Sequence, residues 1–531
     1  MNSYVRAASL LLVSYILYSL VRSFLSSRYH EHRAEELGCE PVPVRPAKLP
    51  GGIDFIWRLI KADRRNQVPN EFEAIFAEMG AVATWKQYIF GTAAYNTVDP
   101  KNIQALLATQ FLDFEIGPLR RGNFFPMLGN GIFTSDGKAW EHSRALLRPQ
   151  FSRDQVGDLE LEERHVQDMF KHLAINSAGW TPDVNLSPLL FRLTIDSATE
   201  FFFGQSVNSQ IAALPDGLAT EKNPAARAGH DWSSLARSFD NGTHALGIRG
   251  RLLELYWLYS PKSFYDDCKV VHKFADHYVN LALTTGLSSP NEGTLEKGEK
   301  KERYIFLQEL AKATRDPIEL RSQLLNILLA GRDTTAGLLG WTFWLLARHP
   351  EKFEKLRSVV LDAFGSYDSP QNISFATLKG CGYLQHVMSE VLRLFPSVPI
   401  NSRRATKDTS LPRGGGPDGM APVYIPKGTE VNYCVHVMHR RKDIWGEDAN
   451  EFKPERWAKR KSGWEFLPFN GGPRICLGQQ FALTEAGYVI VRMLQRFDRI
   501  ENLDTKPEPF HQYSVTTAPL AVPLRFHEAS R

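Results

Sequence analysis

One short segment near the carboxyl end, residues 469–478 (FNGGPRICLG), combines residue types that together could hold a metal centre. Cys476 stands just before a predicted helix, where the helix dipole and free N–H groups stabilise a thiolate. Gly472 permits a tight turn, and Arg474 can form charge-assisted hydrogen bonds to a haem propionate. Gly478 lets the helix approach a flat macrocycle closely. A lone cysteine is usually a buried free thiol, but the complete pattern favours an axial ligand to haem iron.

A second polar patch, residues 330–335 (AGRDTT), interrupts a long apolar segment, 323–348, that is predicted to form a helix. The Thr334 hydroxyl can bond to the Ala330 carbonyl one turn back and locally open the helix, which leaves a groove for dioxygen over the iron. Asp333 can relay protons to the distal oxygen atom. The alternative is a helix kink with a solvated Asp–Thr pair. Because the cysteine segment is also present, we predict that Asp333 and Thr334 are catalytic.

These motifs resemble those of the cytochrome P450 monooxygenases, whose FxxGxRxCxG pattern is matched at 469–478, and the resemblance covers roughly residues 110–480. It implies a mainly α fold with minor β structure and a haem whose iron is bound by the Cys476 thiolate, a ligand that favours O–O cleavage. The acid–alcohol pair favours a monooxygenase over haem-thiolate isomerases and dehydratases, which tend to lack it. The resemblance implies that the haem is held by Trp140, Arg144, Ala330, Arg403, Phe469, Arg474, Cys476 and Gly478.

The framework around these motifs is predicted from local patterns. Helices are expected at 383–394 and 477–496, and short strands at 423–425 and 430–433 flank a Pro-Lys-Gly turn. The polar stretch 284–303 is expected to be an exposed loop. The resemblance implies a structural network, which holds the haem-side core together, of Glu390, Arg393 and Arg456; the alternative is an ordinary exposed i,i+3 ion pair of little energetic weight.

The substrate is indicated only by a resemblance within the family. Residues 124–133 (FFPMLGNGIF), 147–151 (LRPQF) and 330–337 (AGRDTTAG) are similar to a fungal branch that hydroxylates alkanes and fatty acids, often at the terminal carbon. This implies a long apolar channel, although apolar residues there would more often be plain core. An oxidative tailoring enzyme of a fungal secondary-metabolite pathway stays open, and a haem-binding carrier or sensor is the non-enzyme alternative. The expected lining residues lie in 124–128, at Ile327 and Ala330, and in 398–400 and 515–517.

Composition restricts the partners. The net charge is +4, from 63 basic and 59 acidic residues, which does not indicate a nucleic-acid partner. The five cysteines are scattered and odd in number, unlike a disulfide framework. No dinucleotide-binding fingerprint occurs, so we expect electrons from a separate NADPH–cytochrome reductase. The expected substrate is an apolar small molecule.

The first residues are predicted to bind membrane lipid. Residues 7–21 (AASLLLVSYILYSLV) carry no charge, and 4–25 reaches the ~20 residues that span a bilayer. Basic residues follow this run more often than they precede it, which predicts a cytosolic catalytic domain; a cleaved secretory signal is the alternative. We therefore expect a single-pass protein of the endoplasmic reticulum membrane. Its predicted parts are an anchor (1–25), a Pro-rich hinge (26–54) and a catalytic domain (55–531).

Overall fold

The computed structural model describes residues 3–80, 82–151, 157, 159–214, 234–285 and 305–530 of the chain. It is 59% helical and 13% strand, which confirms the predicted mainly α fold with minor β structure. Its contacts divide the chain into two compact units. We call them the sheet unit (Met1–Ile53, Ile75–Glu115 and Ser402–Tyr433) and the helical unit (Asp54–Ala74, Ile116–Asn401 and Cys434–Arg531).

Helices make up most of the described residues. In chain order they are α1 (Ser3–Glu36), α2 (Ile53–Arg64), α3 (Val68–Glu78), α4 (Pro100–Gln104), α5 (Gly117–Leu128), α6 (Gly137–Leu147), α7 (Leu159–Phe170), α8 (Leu186–Phe203), α9 (Ser209–Ala212), α10 (Leu235–Arg251), α11 (Lys262–Thr285), α12 (Phe306–Ala313), α13 (Pro317–Leu346), α14 (Pro350–Phe364), α15 (Phe375–Gly380), α16 (Gly382–Leu394), α17 (Val435–Met438), α18 (Lys442–Trp445) and α19 (Gln479–Arg496). The helices predicted at 323–348, 383–394 and 477–496 are confirmed as α13, α16 and α19.

The strands are short and are grouped, among the described residues, into one five-stranded sheet and three smaller ones. The larger sheet has the order β1-β2-β8-β5-β3, with β1 and β2 antiparallel and β2 and β8 parallel. Both strands predicted around the Pro-Lys-Gly turn are confirmed as β7 and β8. The strands are β1 (Thr84–Ile89), β2 (Thr92–Thr97), β3 (Phe114–Glu115), β4 (Val184–Asn185), β5 (Ile400–Ala405), β6 (Thr409–Gly415), β7 (Ala421–Ile425), β8 (Glu430–Cys434), β9 (Phe497–Asn502), β10 (His511–Tyr513), β11 (Thr517–Pro519) and β12 (Pro523–Glu528).

Helix α13 runs through the core of the helical unit. It is apolar on every side and buried along most of its length, as expected of a helix surrounded by protein. It begins earlier than predicted because Asp316 caps it: the Asp316 carboxylate accepts the N–H groups of Ile318 and Glu319, and Pro317 occupies the first turn. Helices α8 and α19 pack against it, and α7 packs against both of these helices. This arrangement fixes the polar patch at 330–335 between packed helices.

The amino-terminal helix is longer than the predicted anchor. Helix α1 continues to Glu36, and its segment Ser9–Glu36 is long and apolar enough to cross a membrane. Its last turns contact other residues of the same unit, since the Tyr29 hydroxyl donates to the Asp408 carboxylate at 2.9 Å. The His30 ring and the Tyr424 hydroxyl are also 2.9 Å apart. The first part of the predicted hinge is therefore helical.

The Pro-rich stretch after α1 is extended, as its sequence predicts, but it is not a free spacer. Its backbone pairs with β1, since the Lys86 N–H donates to the Pro43 carbonyl at 2.8 Å and the Arg45 N–H to the Lys86 carbonyl at 2.7 Å. The predicted loop at 284–303 lies mostly outside the described residues, and its first two residues end helix α11.

Candidate active site

The cysteine segment forms a tight turn that leads into α19. Residues Gly472–Arg474 make one turn of 3-10 helix, and Gly472 has a φ of +66°, which favours glycine. The Cys476 N–H then donates to the Phe469 carbonyl at 3.0 Å, which closes the loop. Gly478 is the residue immediately before α19. The turn therefore presents the Cys476 side chain at the amino-terminal end of a helix, as predicted.

The Cys476 side chain is exposed and lines a cavity of about 790 Å³. The side chain faces the cavity, but the protein atoms packed around its sulfur desolvate the thiol and raise its pKa, while the Gly478 N–H and the Arg144 guanidinium oppose that rise. A cation bound to the sulfur would favour the thiolate, because a coordinating thiol loses its proton. All five cysteines are free thiols, so Cys476 is available as a ligand. The cavity is lined by Trp140, Arg144, Arg148, Pro149, Phe151, Pro473, Ile475, Cys476 and Leu477.

Three of the predicted haem-binding side chains meet beside this cavity. The Arg474 guanidinium lies 4.4 Å from the centre of the Trp140 ring, and the Arg144 guanidinium lies 5.8 Å from it. Arg474 also donates to the Asp136 carboxylate at 2.6 Å, and Arg144 donates to the Ile475 carbonyl at 3.0 Å. Two guanidinium groups at one edge of a cavity with a thiol in its wall fit a haem, whose propionates need cationic donors.

Arg403, the remaining arginine predicted to bind a propionate, belongs to the sheet unit. It is almost fully buried and donates to the Ser402 carbonyl at 2.7 Å. Its guanidinium lies 5.8 Å from the centre of the Tyr433 ring. Its role towards haem stays a prediction.

The polar patch of α13 has the predicted hydrogen bond. The Thr334 hydroxyl donates to the Ala330 carbonyl at 2.7 Å, and the Ser397 hydroxyl donates to the Thr334 carbonyl at 3.3 Å. The helix nevertheless stays continuous from Pro317 to Leu346, so the local opening that was predicted is limited to this hydroxyl–carbonyl contact. Thr334 is partly buried, and Ala330 stands one turn before it.

Asp333 is buried, which contradicts the alternative of a solvated Asp–Thr pair. It accepts from Arg332 at 3.2 Å, and Arg332 also pairs with Asp240 of α10. Burial raises the pKa of Asp333 to about 6, with Arg332 opposing the rise and Asp240 adding to it. A cavity of about 290 Å³ reaches Asp333, and Asp240 and His244 also line it. Asp333 can therefore exchange protons near neutral pH through a polar cavity.

The structural network is confirmed and is larger than predicted. Glu390 accepts from Arg393 at 2.9 and 2.8 Å and from Arg456 at 2.9 Å. The Trp457 ring N–H donates to it at 2.9 Å, and the Lys453 N–H at 3.0 Å. Glu390 and Arg393 have no exposed surface, so the alternative of an exposed pair is wrong.

Two charged partners were missed by the sequence analysis. Asp136 and Arg332 are the charged partners of Arg474 and Asp333, and neither has a local motif that indicates its role. His439 lies next to the structural network, where it accepts from the Leu467 N–H at 2.9 Å and contacts the Arg393 carbonyl at 3.1 Å. Both its ring nitrogens are therefore engaged within the protein.

Residues expected to line a substrate channel come together from separate segments. Ile327 of α13 belongs to a buried apolar cluster that also contains Met127 and Leu128 of α5. Phe124 and Val515 pack against the same cluster. An apolar region thus adjoins the polar patch within the helical unit.

The fold, the cysteine turn and the cavity beside it define a haem-thiolate protein. The Cytochrome P450 family pattern matches residues 47–524. Cytochrome P450 monooxygenase g430 of a Fusarium species is 55% identical over 493 residues, which cover 92% of this chain and 85% of that protein. Cytochrome P450 monooxygenase alt2 of Alternaria solani is 47% identical over 501 residues, with 92% and 91% covered.

Cytochrome P450 52A13 of Debaryomyces hansenii is 48% identical over 462 residues, with 86% of this chain and 85% of that protein covered. The chain belongs to the cytochrome P450 family and is a monooxygenase. Members of the family use haem with a cysteine thiolate as axial ligand, normally take electrons from a redox partner and bind hydrophobic substrates.

Proposed function

We propose that this monooxygenase hydroxylates the terminal region of a fatty acid, an alkane or a similar long acyl chain. The observation that carries this proposal is the apolar cluster next to the polar patch, to which Phe124, Ile327 and Val515 contribute. In this proposal a linear chain lies end-on against this region. Burying a carboxylate in this apolar region would be costly, so the methyl end is favoured at the inner end of the chain.

In this proposal Cys476 binds the haem iron, and Arg474, Arg144 and Trp140 hold the propionate edge, with Ala330, Arg403, Phe469 and Gly478 completing the haem site. The bound haem supplies the activation of dioxygen. The Thr334 hydroxyl is held in one orientation by its bond to the Ala330 carbonyl. Asp333 passes protons from the polar cavity, since its raised pKa lets it both accept and donate them near neutral pH.

We further propose that α1 anchors the protein in the endoplasmic reticulum membrane with the catalytic part in the cytosol. The excess of basic residues after the apolar run supports this orientation. An NADPH–cytochrome reductase in the same membrane would supply the electrons. The anchor (1–25), hinge (26–54) and catalytic domain (55–531) are the parts of this arrangement, with α1 extending into the hinge.

The test is product analysis with hexadecanoic acid. The full chain is reconstituted in lipid with a fungal reductase and NADPH, and the position of the new hydroxyl group is determined. Hydroxylation mainly at the terminal carbon is the expected result. No turnover by a protein with an intact haem-thiolate absorbance would contradict the substrate and favour a specialised metabolite.

A further inference from the structure

A buried arginine joins two carboxylates that line the same cavity. One nitrogen of the Arg332 guanidinium, on α13, donates to Asp333 at 3.2 Å and also to Asp240 of α10. The Arg332 and Asp333 side chains are only 3% and 6% exposed, whereas the Asp240 side chain is 45% exposed. The cavity of about 290 Å³ therefore has one carboxylate in the protein interior and one that is open to solvent.

Two aromatic rings hold the Arg332 guanidinium in place. It lies 5.3 Å from the centre of the Phe191 ring of α8 and 5.6 Å from the centre of the Phe239 ring of α10. Cations are attracted to the faces of aromatic rings at such distances. Because these rings confine the guanidinium, neither carboxylate can leave it without losing a charge-assisted hydrogen bond. The contact thus fixes the position of both carboxylates at the cavity.

The walls of this cavity are suited to water. Most of the residues that line it have polar side chains, among them Asn66, Thr243 and Gln512. A polar cavity of this size can hold several water molecules, whereas apolar cavities stay dry. Water that bridges the two carboxylates can carry protons between them.

The other ionisable groups at the cavity are less suited to pass protons to its buried side. Asp63 is paired with Arg251 at 2.8 Å. Burial raises the pKa of Tyr513 to about 12, so this phenol keeps its proton. His244 is exposed, but the bridging guanidinium bonds to the two carboxylates and not to this ring.

We propose that Asp240 is the group through which protons enter from solvent on their way to Asp333, and that Arg332 is a positioning residue that holds both carboxylates at one cavity. This inference rests on the proposed proton transfer by Asp333. A proton that Asp333 gives up in the reaction is replaced from a cavity water. That water takes a proton from Asp240, and Asp240 regains one from solvent, so every group returns to its starting charge.

The positioning role is tested by infrared spectroscopy of the full chain in a detergent without ester groups. Burial raises the pKa of Asp333 to about 6, so the C=O stretching component that Asp333→Asn removes should disappear near that pH. Asp240→Asn should shift this titration to lower pH, because a neighbouring negative charge is lost and the guanidinium then stabilises the Asp333 carboxylate alone. Arg332→Met should shift it to higher pH, and Arg332→Lys should restore part of the difference. An unchanged titration in Asp240→Asn and Arg332→Met would overturn the positioning role.

The entry of protons is tested by turnover of the full chain with reductase, NADPH and hexadecanoic acid in H₂O and in D₂O. Asp240→Asn should lower the rate by roughly tenfold, less than the roughly 10²–10⁴-fold contributed by a positioned acid or base itself, and should increase the ratio of the two rates. The matched control is Asp276→Asn. Asp276 of α11 pairs with Arg321 of α13 at 3.0 Å and is 40% exposed, but it does not line the cavity, so this variant should match the wild type.

Wild-type rates in Asp240→Asn, or a larger loss in His244→Gln, would overturn the assignment of the entry residue. If hexadecanoic acid is not converted, the same ratio is measured on the NADPH-driven release of hydrogen peroxide, which also consumes protons. The infrared titration needs no substrate. Failure of the proposed substrate would therefore leave both tests of this inference in place.

Discussion

Replacing Glu390 tests the buried network that supports the haem side of the core. The change Glu390→Ala removes the acceptor of five hydrogen bonds, two of them from Arg393. Arg393 has no exposed surface, and the Arg456 side chain is only 9% exposed, so water cannot replace the lost carboxylate. Removing one partner from a buried ion pair costs about 3–5 kcal/mol. This is a large part of the total stability expected of a folded protein, about 5–15 kcal/mol.

The assay is urea unfolding of the haem-loaded protein, followed by haem absorbance and by circular dichroism. Glu390→Ala should unfold at much lower urea, and its unfolding equilibrium constant should rise by roughly 10²–10⁴-fold. The control is Glu447→Ala, because Glu447 pairs with Lys442 at 2.8 Å on the surface, where the two side chains are 88% and 59% exposed. Exposed ion pairs of this kind contribute about 0–1 kcal/mol. Equal losses in the two variants, or no loss in Glu390→Ala, would refute the reasoning.

Three further results are expected. Gly472→Ala should weaken haem retention, because a φ of +66° costs a residue with a Cβ about 1–2 kcal/mol. The control Gly382→Ala should retain haem normally, because no atom lies near the position of the added Cβ. Thr334→Ala should consume NADPH but release mostly peroxide. Thr342→Ala, which removes an equivalent hydroxyl–carbonyl bond two turns along α13, should not increase peroxide release. For Asp333, whose pKa is raised to about 6, the folded state binds the proton more tightly than the unfolded state. Stability should therefore fall as pH rises from about 4 to about 6, and Asp333→Asn should lack this fall in urea midpoints measured across that range.

The sequence alone was sufficient to predict the parts of the site that are formed by residues close together in the chain. The turn at Gly472, the start of a helix after Cys476 and the bond from Thr334 to Ala330 are local features, so their residue types reveal them. The burial of Asp333 was not evident, because it depends on how other helices cover α13.

Features formed by residues far apart in the chain could not be predicted. Nothing near Arg474 indicates that Asp136 is its partner. The end of α1 was also missed, because its last turns are held by Asp408 and by Tyr424 of β7 rather than by a local stop signal.

The most direct test of the account is the absorption of the reduced, carbon monoxide-bound protein with single cysteines replaced. Cys476 lines the cavity, whereas Cys268 is buried elsewhere in the apolar core of the helical unit. The wild-type protein and Cys268→Ala should both show the thiolate-type haem absorbance, and Cys476→Ala should lose it. A thiolate-type absorbance retained by Cys476→Ala would contradict the assignment of the axial ligand.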